Sequence, residues 1–254
     1  MDKIDEKRFF TMAESYDKMS HILVPHYDFL QDEMIKILSI ENYPNPTVVD
    51  LGAGSGTFLE KILKKNASAI CYWVDYSQDF LNAAKDKLSR FEGRVKFIHS
   101  PIEESWDSPI EKKPDFILSM SSIHHLKSEE KKALYKKCFD LLSNDGWFVN
   151  IDEMKTIYND AYANSLHHWV KHVEESKAQV QKDKMDLYHK WKAHFDKWKV
   201  RNVDNIDTPK SKGDDIHESF VNQLEWLKEI GFIHVDVFLK HHLWCAIGGQ
   251  KKIE

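Results

Sequence analysis

The residues best placed to do chemistry lie in Val48-Val49-Asp50-Leu51-Gly52-Ala53-Gly54-Ser55-Gly56-Thr57. An apolar run ends in an acid, and glycines follow at alternate positions. Glycine lets a chain turn sharply and lets its backbone approach a ligand closely. A dinucleotide fingerprint would space its glycines GxGxxG; here the spacing is GxGxG. The acid two residues before Gly52 would repel a pyrophosphate and would suit an ammonium or sulfonium group. Spacing and charge therefore move the reading from NAD towards S-adenosylmethionine (SAM). A strand-to-helix turn without a ligand is the plain alternative. Asp75 stands 25 positions after Asp50, near the roughly 20-residue spacing of a ribose-binding acid. Its carboxylate can accept both ribose hydroxyls, with Tyr76 against the adenine. An acid favoured by a helix dipole is the alternative there.

Histidines are the second candidate set. His124 and His125 sit in Ser121-Ser122-Ile123-His124-His125-Leu126, after the fourth expected strand, where α/β sheets bind ligands. Histidine titrates near neutral pH, so both are candidate general bases; loop packing is the other reading. His167, His168 and His172 lie on an expected helix, the last two at i, i+4. That spacing can hold a metal, but no carboxylate or cysteine completes a set. His241-His242 falls in a turn. An ordinary polar role is expected for all five, and no metal.

Elements that could position these groups follow from hydrophobic pattern and breakers. Two N-terminal helices are expected within residues 1–40, the second over 25–39, closed by Pro44 and Pro46. From Thr47 the chain alternates. Strands are expected at 47–51, 69–74, 95–98, 115–120 and 147–151, with helices between them, one capped by Ser77 and one over 128–142. This βαβ order implies a parallel sheet covered on both faces. Residues 155–201 read as helical, with Leu187, Trp191, Phe195 and Trp198 on one stripe. Residues 202–215 read as a polar loop, 217–229 as a last helix, and 233–239 with 243–247 as a closing strand pair.

Composition narrows the class. At 254 residues with 42% hydrophobic and 30% charged, the chain fits one soluble domain with an insertion. The net charge of −5, with arginine only at 8, 90, 94 and 201, argues against a dedicated nucleic-acid surface. No apolar run approaches the ~18 residues of a membrane span. The charged start Met1–Arg8 has no apolar segment behind it, so no secretory signal is expected. Cys71, Cys138 and Cys245 lack metal spacing and read as buried reduced thiols, which suits the cytoplasm.

Taken together, Val48–Thr57, Val74-Asp75-Tyr76-Ser77, Leu141-Leu142-Ser143-Asn144-Asp145-Gly146-Trp147, Trp226–Phe232 and Trp244–Lys251 resemble the class I SAM-dependent methyltransferases. The likeness is nearest to small bacterial and archaeal members related to the carboxy-SAM synthase of tRNA wobble-uridine modification. It implies a Rossmann-like α/β fold: a seven-stranded, mostly parallel sheet with the last strand antiparallel. The layout would be N-terminal helices over 1–45, a SAM-binding core over 46–153, a helical cap over 154–215, and a last helix and strand pair over 216–254. It also implies roles. Gly52, Ala53 and Gly54, beside Asp50, would line the methionine part of SAM. Asp75 and Tyr76 would hold ribose and adenine, and Pro101 and Ile102 would flank the adenine. Met120 would sit by the methyl-donor end, and Tyr27 would close over the cofactor. Many members carry an acid after the third strand; here Ser100-Pro101-Ile102 stands there, with Glu103 the first acid.

The expected activity is methyl transfer to a small-molecule acceptor under the cap. Alignment supplies much of such a rate, and a base is needed only if the acceptor keeps its proton. Trp169, Trp191, Phe195 and Trp198 either enclose that acceptor or pack on the domain or a second subunit, as in a homodimer. The alternatives are an enzyme acting on SAM itself, which would need a cation, usually Arg, for the added carboxylate where the cap offers mostly Lys and Arg201 as its only Arg, and a SAM-binding protein without turnover.

Overall fold

The computed structural model describes residues 13–211 and 213–252. The first dozen residues, where a helix start and the absence of a secretory signal were expected, lie outside these. The elements are α1 (Ala13–Leu23), α2 (Tyr27–Ile37), β1 (Thr47–Leu51), α3 (Thr57–Lys65), β2 (Ile70–Asp75), α4 (Gln78–Leu88), β3 (Val95–His99), β4 (Phe116–Met120), α5 (Ser128–Leu141), β5 (Trp147–Glu153), α6 (Asn159–Ser176), α7 (Met185–Lys199), α8 (Phe220–Ile230), β6 (Ile233–His241) and β7 (Trp244–Gln250).

The seven strands form one sheet in the order β3-β2-β1-β4-β5-β7-β6. β1 to β5 pair in parallel, and β7 pairs antiparallel with both β5 and β6. β7 is thus the one strand that runs against the rest, as expected. Period-2 alternation sends side chains to two apolar layers. Val48, Trp73 and Leu118 face a layer with α1 to α4, α6 and α7. Val49, Val74 and Ile117 face a layer with α5 and α8. Both faces are covered, so the central strands β1 and β4 are buried along their whole length.

Local signals explain several boundaries. Ser77 Oγ accepts from Phe80 N–H at 3.3 Å and caps α4, worth about 1 kcal/mol. α8 starts at Phe220, not at 217, because Ser219 Oγ accepts from Val221 N–H at 3.2 Å. It stops at Gly231, whose φ of 115° lies in the left-handed region. The helical stretch expected over 155–201 breaks into α6 and α7, with Val180 extended and buried between them. Where this excursion begins and ends, Lys155 N–H donates to Glu218 O at 3.0 Å and Phe220 N–H donates to Lys155 O at 3.3 Å. The three cysteines are free and buried, as expected.

Candidate active site

The Gly loop joins β1 to α3 at the carboxyl edge of the sheet, beside the point where strand order reverses between β1 and β4. Gly52 and Gly54 have φ of 68° and 51°. A Cβ at Gly52 would lie 2.0 Å from Ser122 Oγ, so this glycine lets the loop after β4 pack against the turn. A Cβ at Gly54 would make only ordinary contact with the Phe80 ring, at 3.9 Å, so no atom crowds that side of the turn. Ala53 N–H and Gly52 N–H both donate to Val74 O, at 3.0 and 2.8 Å, and Trp73 Nε1–H donates to Gly54 O at 2.7 Å. The loop is fixed from β2, without any ligand.

Two carboxyls form the floor. Asp50 is 2% exposed. Burial, then the nearby Asp75 carboxylate, pushes its pKa well above the usual range. Asp75 is pushed up by burial as well, against the backbone bonds it accepts. Its Oδ2 accepts from Gly54 N–H and its Oδ1 from Ser77 N–H, each at 2.9 Å. Each oxygen keeps a lone pair for a ribose hydroxyl. A buried acid raised by desolvation is one that a bound cation would return to its charged form. The donor set therefore fits a ligand that carries both a cation and a diol.

The remaining expected contacts differ in exposure. Tyr27 on α2 and Met120 at the end of β4 are both buried, and Gln31 Nε2–H donates to Met120 Sδ at 3.4 Å. Gln31 Oε1 is buried without a hydrogen-bond partner, an acceptor free for a ligand N–H or O–H. Tyr76 is 47% exposed, and His99 Nε2–H donates to its carbonyl at 2.7 Å. Pro101 is half-buried, Ile102 is buried with Trp106 in the α5 layer, and Glu103 is exposed.

Sequence reasoning missed the clasp that holds α1 over the loop. Asp17 Oδ1 accepts from Ser55 Oγ–H at 2.5 Å and from Thr57 Oγ1–H at 3.1 Å, and pairs with Lys87 Nζ of α4. Burial would raise the Asp17 carboxyl, but Lys87, Ser55 and Thr57 together hold it below the ordinary range. It also lies at the N-terminus of α3, where an anion is favoured. No local pattern joins residues 17, 55 and 87; only the acid's place on the inner face of an amphipathic helix hinted at it.

The two histidines after β4 separate sharply. His124 is 4% exposed. Its Nδ1 lies 2.5 Å from Asp152 Oδ1, its backbone N–H donates to Asp152 Oδ2 at 2.8 Å, and its Nε2 lies 3.5 Å from Asp215 Oδ1. Burial alone would lower its pKa, but Asp152, Glu153 and Asp215 outweigh it and hold it well above the usual value. Asp152 and Asp215 are held low in return, against their own burial. His125 also meets Asp215 Oδ1, at 3.2 Å, but its side chain is 38% exposed. Asn202 Nδ2–H donates to Asp215 Oδ2 at 3.0 Å, and His217 links Glu153 (2.9 Å) to the Tyr162 hydroxyl (2.6 Å). Asp215 fell in the stretch read as a polar loop, because its burial depends on the distant His124. Asp152 had a legible signal: an acid ending a strand at the ligand-binding edge. Tyr16 joins the two halves, its hydroxyl donating to Ser121 Oγ at 3.4 Å.

The aromatic stripe of α7 is buried. Trp191, Phe195 and Trp198 stack in series with centroids 5.2 and 5.0 Å apart, and Trp169 contacts Phe195, Trp198 and Trp244. Of the two readings of this stripe, packing on the domain accounts for these contacts. The indole N–H groups of Trp198 and Trp244 are nonetheless buried without a hydrogen-bond partner. Each such orphan costs roughly 1–3 kcal/mol. The donor atoms of His168, His241 and His242 also come together, within 4.8 Å of one another, as do those of His124, His125 and Asp215.

Comparison with known proteins agrees with this fold. A methyltransferase-domain family model matches residues 49–148. The carboxy-S-adenosyl-L-methionine synthase 1 of Yersinia pseudotuberculosis is 30% identical over 155 residues, 60% of this chain and 63% of the relative. The carboxy-S-adenosyl-L-methionine synthase of Nautilia profundicola is 29% identical over 57% of this chain and 60% of its own length. The match thus spans less than two thirds of these relatives. Among solved structures, the magnesium protoporphyrin IX methyltransferase of Synechocystis, with bound S-adenosylhomocysteine, superposes with a TM-score of 0.62 at 12% identity, covering 95% of both chains. Human N-acetylserotonin methyltransferase in complex with SAM gives 0.53 at 13% identity, over 95% of this chain and 54% of that one. No helix among the described residues is long and apolar enough to cross a membrane. Residues 49–148, which hold the Gly loop and both acids, thus match a methyltransferase domain, and the fold is that of solved SAM-dependent methyltransferases.

Proposed function

We propose that the chain transfers a methyl group from SAM to a small-molecule acceptor held between the carboxyl edge of the sheet and helices α6 and α7. The observation that carries this is the floor of Asp50 and Asp75 beside the Gly52–Gly54 turn: buried, desolvated acids, one of them bonded to the turn through Gly54 N–H. Bound SAM supplies a methyl group on a positively charged sulfur. The chain's own part is to bind, orient and keep water away. Asp75 would accept from the ribose hydroxyls, and Tyr76, Pro101 and Ile102 would flank the adenine. Gly52, Ala53 and Gly54 would carry the methionine part, with Asp50 countering its charge. Tyr27 and Met120 would cover the reacting end. Such pre-alignment contributes on the order of 7–11 kcal/mol in favourable cases.

For an acceptor that keeps its proton, His125 is the proposed base, because its ring reaches solvent beside Asp215. His124, enclosed by two acids and held protonated, is proposed to position Asp215 instead. The unpartnered N–H groups of Trp198 and Trp244 favour an acceptor bearing oxygen or nitrogen lone pairs on an aromatic or apolar frame.

Calorimetry tests the cradle. SAM and S-adenosylhomocysteine should bind the wild type, and Asp75→Ala should weaken both at least tenfold. No affinity in folded wild-type protein would sink the reading. An acceptor screen read by S-adenosylhomocysteine release tests the reaction; His125→Ala should cut turnover about a hundredfold and leave SAM affinity intact. The curated relatives motivate a second reading, synthesis of carboxy-SAM. Arg201, the cap's one arginine, lies 3.5 Å from Asp214. Mass spectrometry of the cofactor co-purified with the protein separates the two, since the carboxylated form is heavier.

A further inference from the structure

Four histidines from three distant parts of the chain meet at the rim of the sheet, away from the Gly loop. His26 lies in the turn between α1 and α2, His168 on α6, and His241 and His242 at the β6–β7 turn. The rings of His168 and His242 stack with centroids 3.7 Å apart at 15°. His241 lies 4.6 Å from His242, 5.4 Å from His168 and 4.2 Å from His26. One ring nitrogen each from His168, His241 and His242 falls within 4.8 Å of the others. His241 Nδ1 is buried and makes no hydrogen bond. His172, one turn along α6, is occupied with Ile22 O at 3.0 Å. Among the described residues, no carboxylate pairs with any of the four.

This arrangement is expensive for a fold that gains nothing from it. Imidazoles stacked without counter-charge repel one another once protonated, and an orphaned ring nitrogen forfeits its hydrogen bond. His26 and His242 also stand on left-handed backbone, with φ of 59° and 51°, a conformation that costs any residue with a side chain. The β6–β7 turn thus uses a strained histidine where glycine would sit without cost.

We propose that His168, His241 and His242 form a binding site for one borderline divalent transition metal, with Zn2+ as the probe. Neutral imidazole nitrogens without thiolates or carboxylates select zinc, nickel or copper over magnesium or calcium. Zn–N bonds of roughly 2.0–2.1 Å need donors on the order of 3.4 Å apart in a tetrahedron. His168 and His241 are half-buried and His242 is exposed, so rotation about their side-chain bonds can bring the donors in. Water or His26 would complete the set. Bound metal would tie the hairpin to α6, with His26 adjoining from the turn before α2. The site is independent of the proposed methyl transfer, and its test does not use turnover.

Chelator-stripped full-length protein is titrated with Zn2+ alone by calorimetry, with Co2+ absorption as the spectroscopic readout. The expected result is one Zn2+ per chain at micromolar or tighter affinity and a rise in Tm on loading. His241→Ala should weaken Zn2+ at least a hundredfold, while His167→Ala, one position from the cluster on α6, should leave it unchanged. His242→Gly guards against a variant that merely fails to fold. It suits the left-handed turn, so the metal-free variant should melt at or above the wild type, yet bind Zn2+ at least tenfold more weakly. SAM affinity measured on the same samples should not move. Wild-type protein that takes up no Zn2+ in the micromolar range overturns the site. So do His241→Ala and His242→Gly variants that bind it as the wild type does.

Discussion

Two groups of histidines crowd the same edge of the sheet and solve the charge problem in opposite ways. After β4, His124 is sealed between Asp152 and Asp215, and His125 shares the second of these acids. Each buried charge there has a partner within hydrogen-bond or ion-pair distance, and the acids hold the pKa of His124 well above its usual value. At the β6–β7 turn, His168, His241 and His242 meet one another, and among the described residues no acid lies within ion-pair distance of them. Burial, then the imidazoles of His26, His242 and His168, push His241 down to about 4. One group is complete as it stands; the other offers lone pairs with nothing to receive them. Residue type alone therefore says little about a histidine's role. What the neighbours supply decides whether it is a fixed cation, a proton acceptor or a ligand.

The contrast predicts unequal costs. The largest should come from Asp152→Ala, which leaves the His124 ring buried without its nearest acid. Breaking a buried pair in this way costs about 3–5 kcal/mol, to be read from urea unfolding at neutral pH; a loss below about 1 kcal/mol would refute the description of His124 as a buried cation. Next comes the pH dependence. Among the described residues, the groups facing His124 include Asp152 and Glu153 from β5, Asp215, His125, His217 and Tyr16. A raised histidine contributes its full stability below its unfolded pKa of about 6.5, and loses that contribution as pH rises through the folded value. Asp152 and Asp215 are lowered, so their contribution is present above the ordinary carboxylate range and fades as pH falls through their folded values. Unfolding free energy should therefore decline on the alkaline side in the wild type. Asp152→Asn should flatten that decline; an unchanged alkaline slope would assign it to other groups.

Asp215→Asn should cost less, roughly 1–3 kcal/mol, because Asn202 can still bond the amide while the charge facing both histidines is gone. The same variant should impair turnover more than SAM affinity, since Asp215 touches His125 and not the cradle. The smallest effect belongs to the other group. His168→Ala in metal-free protein should shift stability by no more than about 0.5 kcal/mol, because among the described residues no ion pair or hydrogen bond depends on that side chain. A loss of several kcal/mol there would show that the rim cluster is held by interactions its geometry does not reveal, and the contrast would fail.

Much of the core was legible because its determinants are local. Five apolar runs at strand length, helices between them, and a Gly-rich turn after the first fix a parallel sheet and the edge where a ligand must bind. Asp50 and Asp75 were readable for the same reason, as acids at the ends of adjacent strands. The closing pair was legible through Gly231 and the two short apolar runs. The α6–α7 region was read less well. Its aromatic stripe was plain, but a stripe shows that a helix face is buried, not what lies against it. The partners Trp244 and α1 are far away in sequence.

By itself the sequence determined the sheet, the turn after β1 and the chemistry that turn suits, because each is set by residues within a few positions of one another. Tertiary structure alone decided that Asp17 and Lys87 clasp the loop, that Asp215 leaves a polar stretch to enclose His124, and that histidines at 26, 168, 241 and 242 come together. These groups meet only once separate elements dock. Docking is driven by apolar burial, which fixes where polar side chains are delivered without recording it in any local pattern.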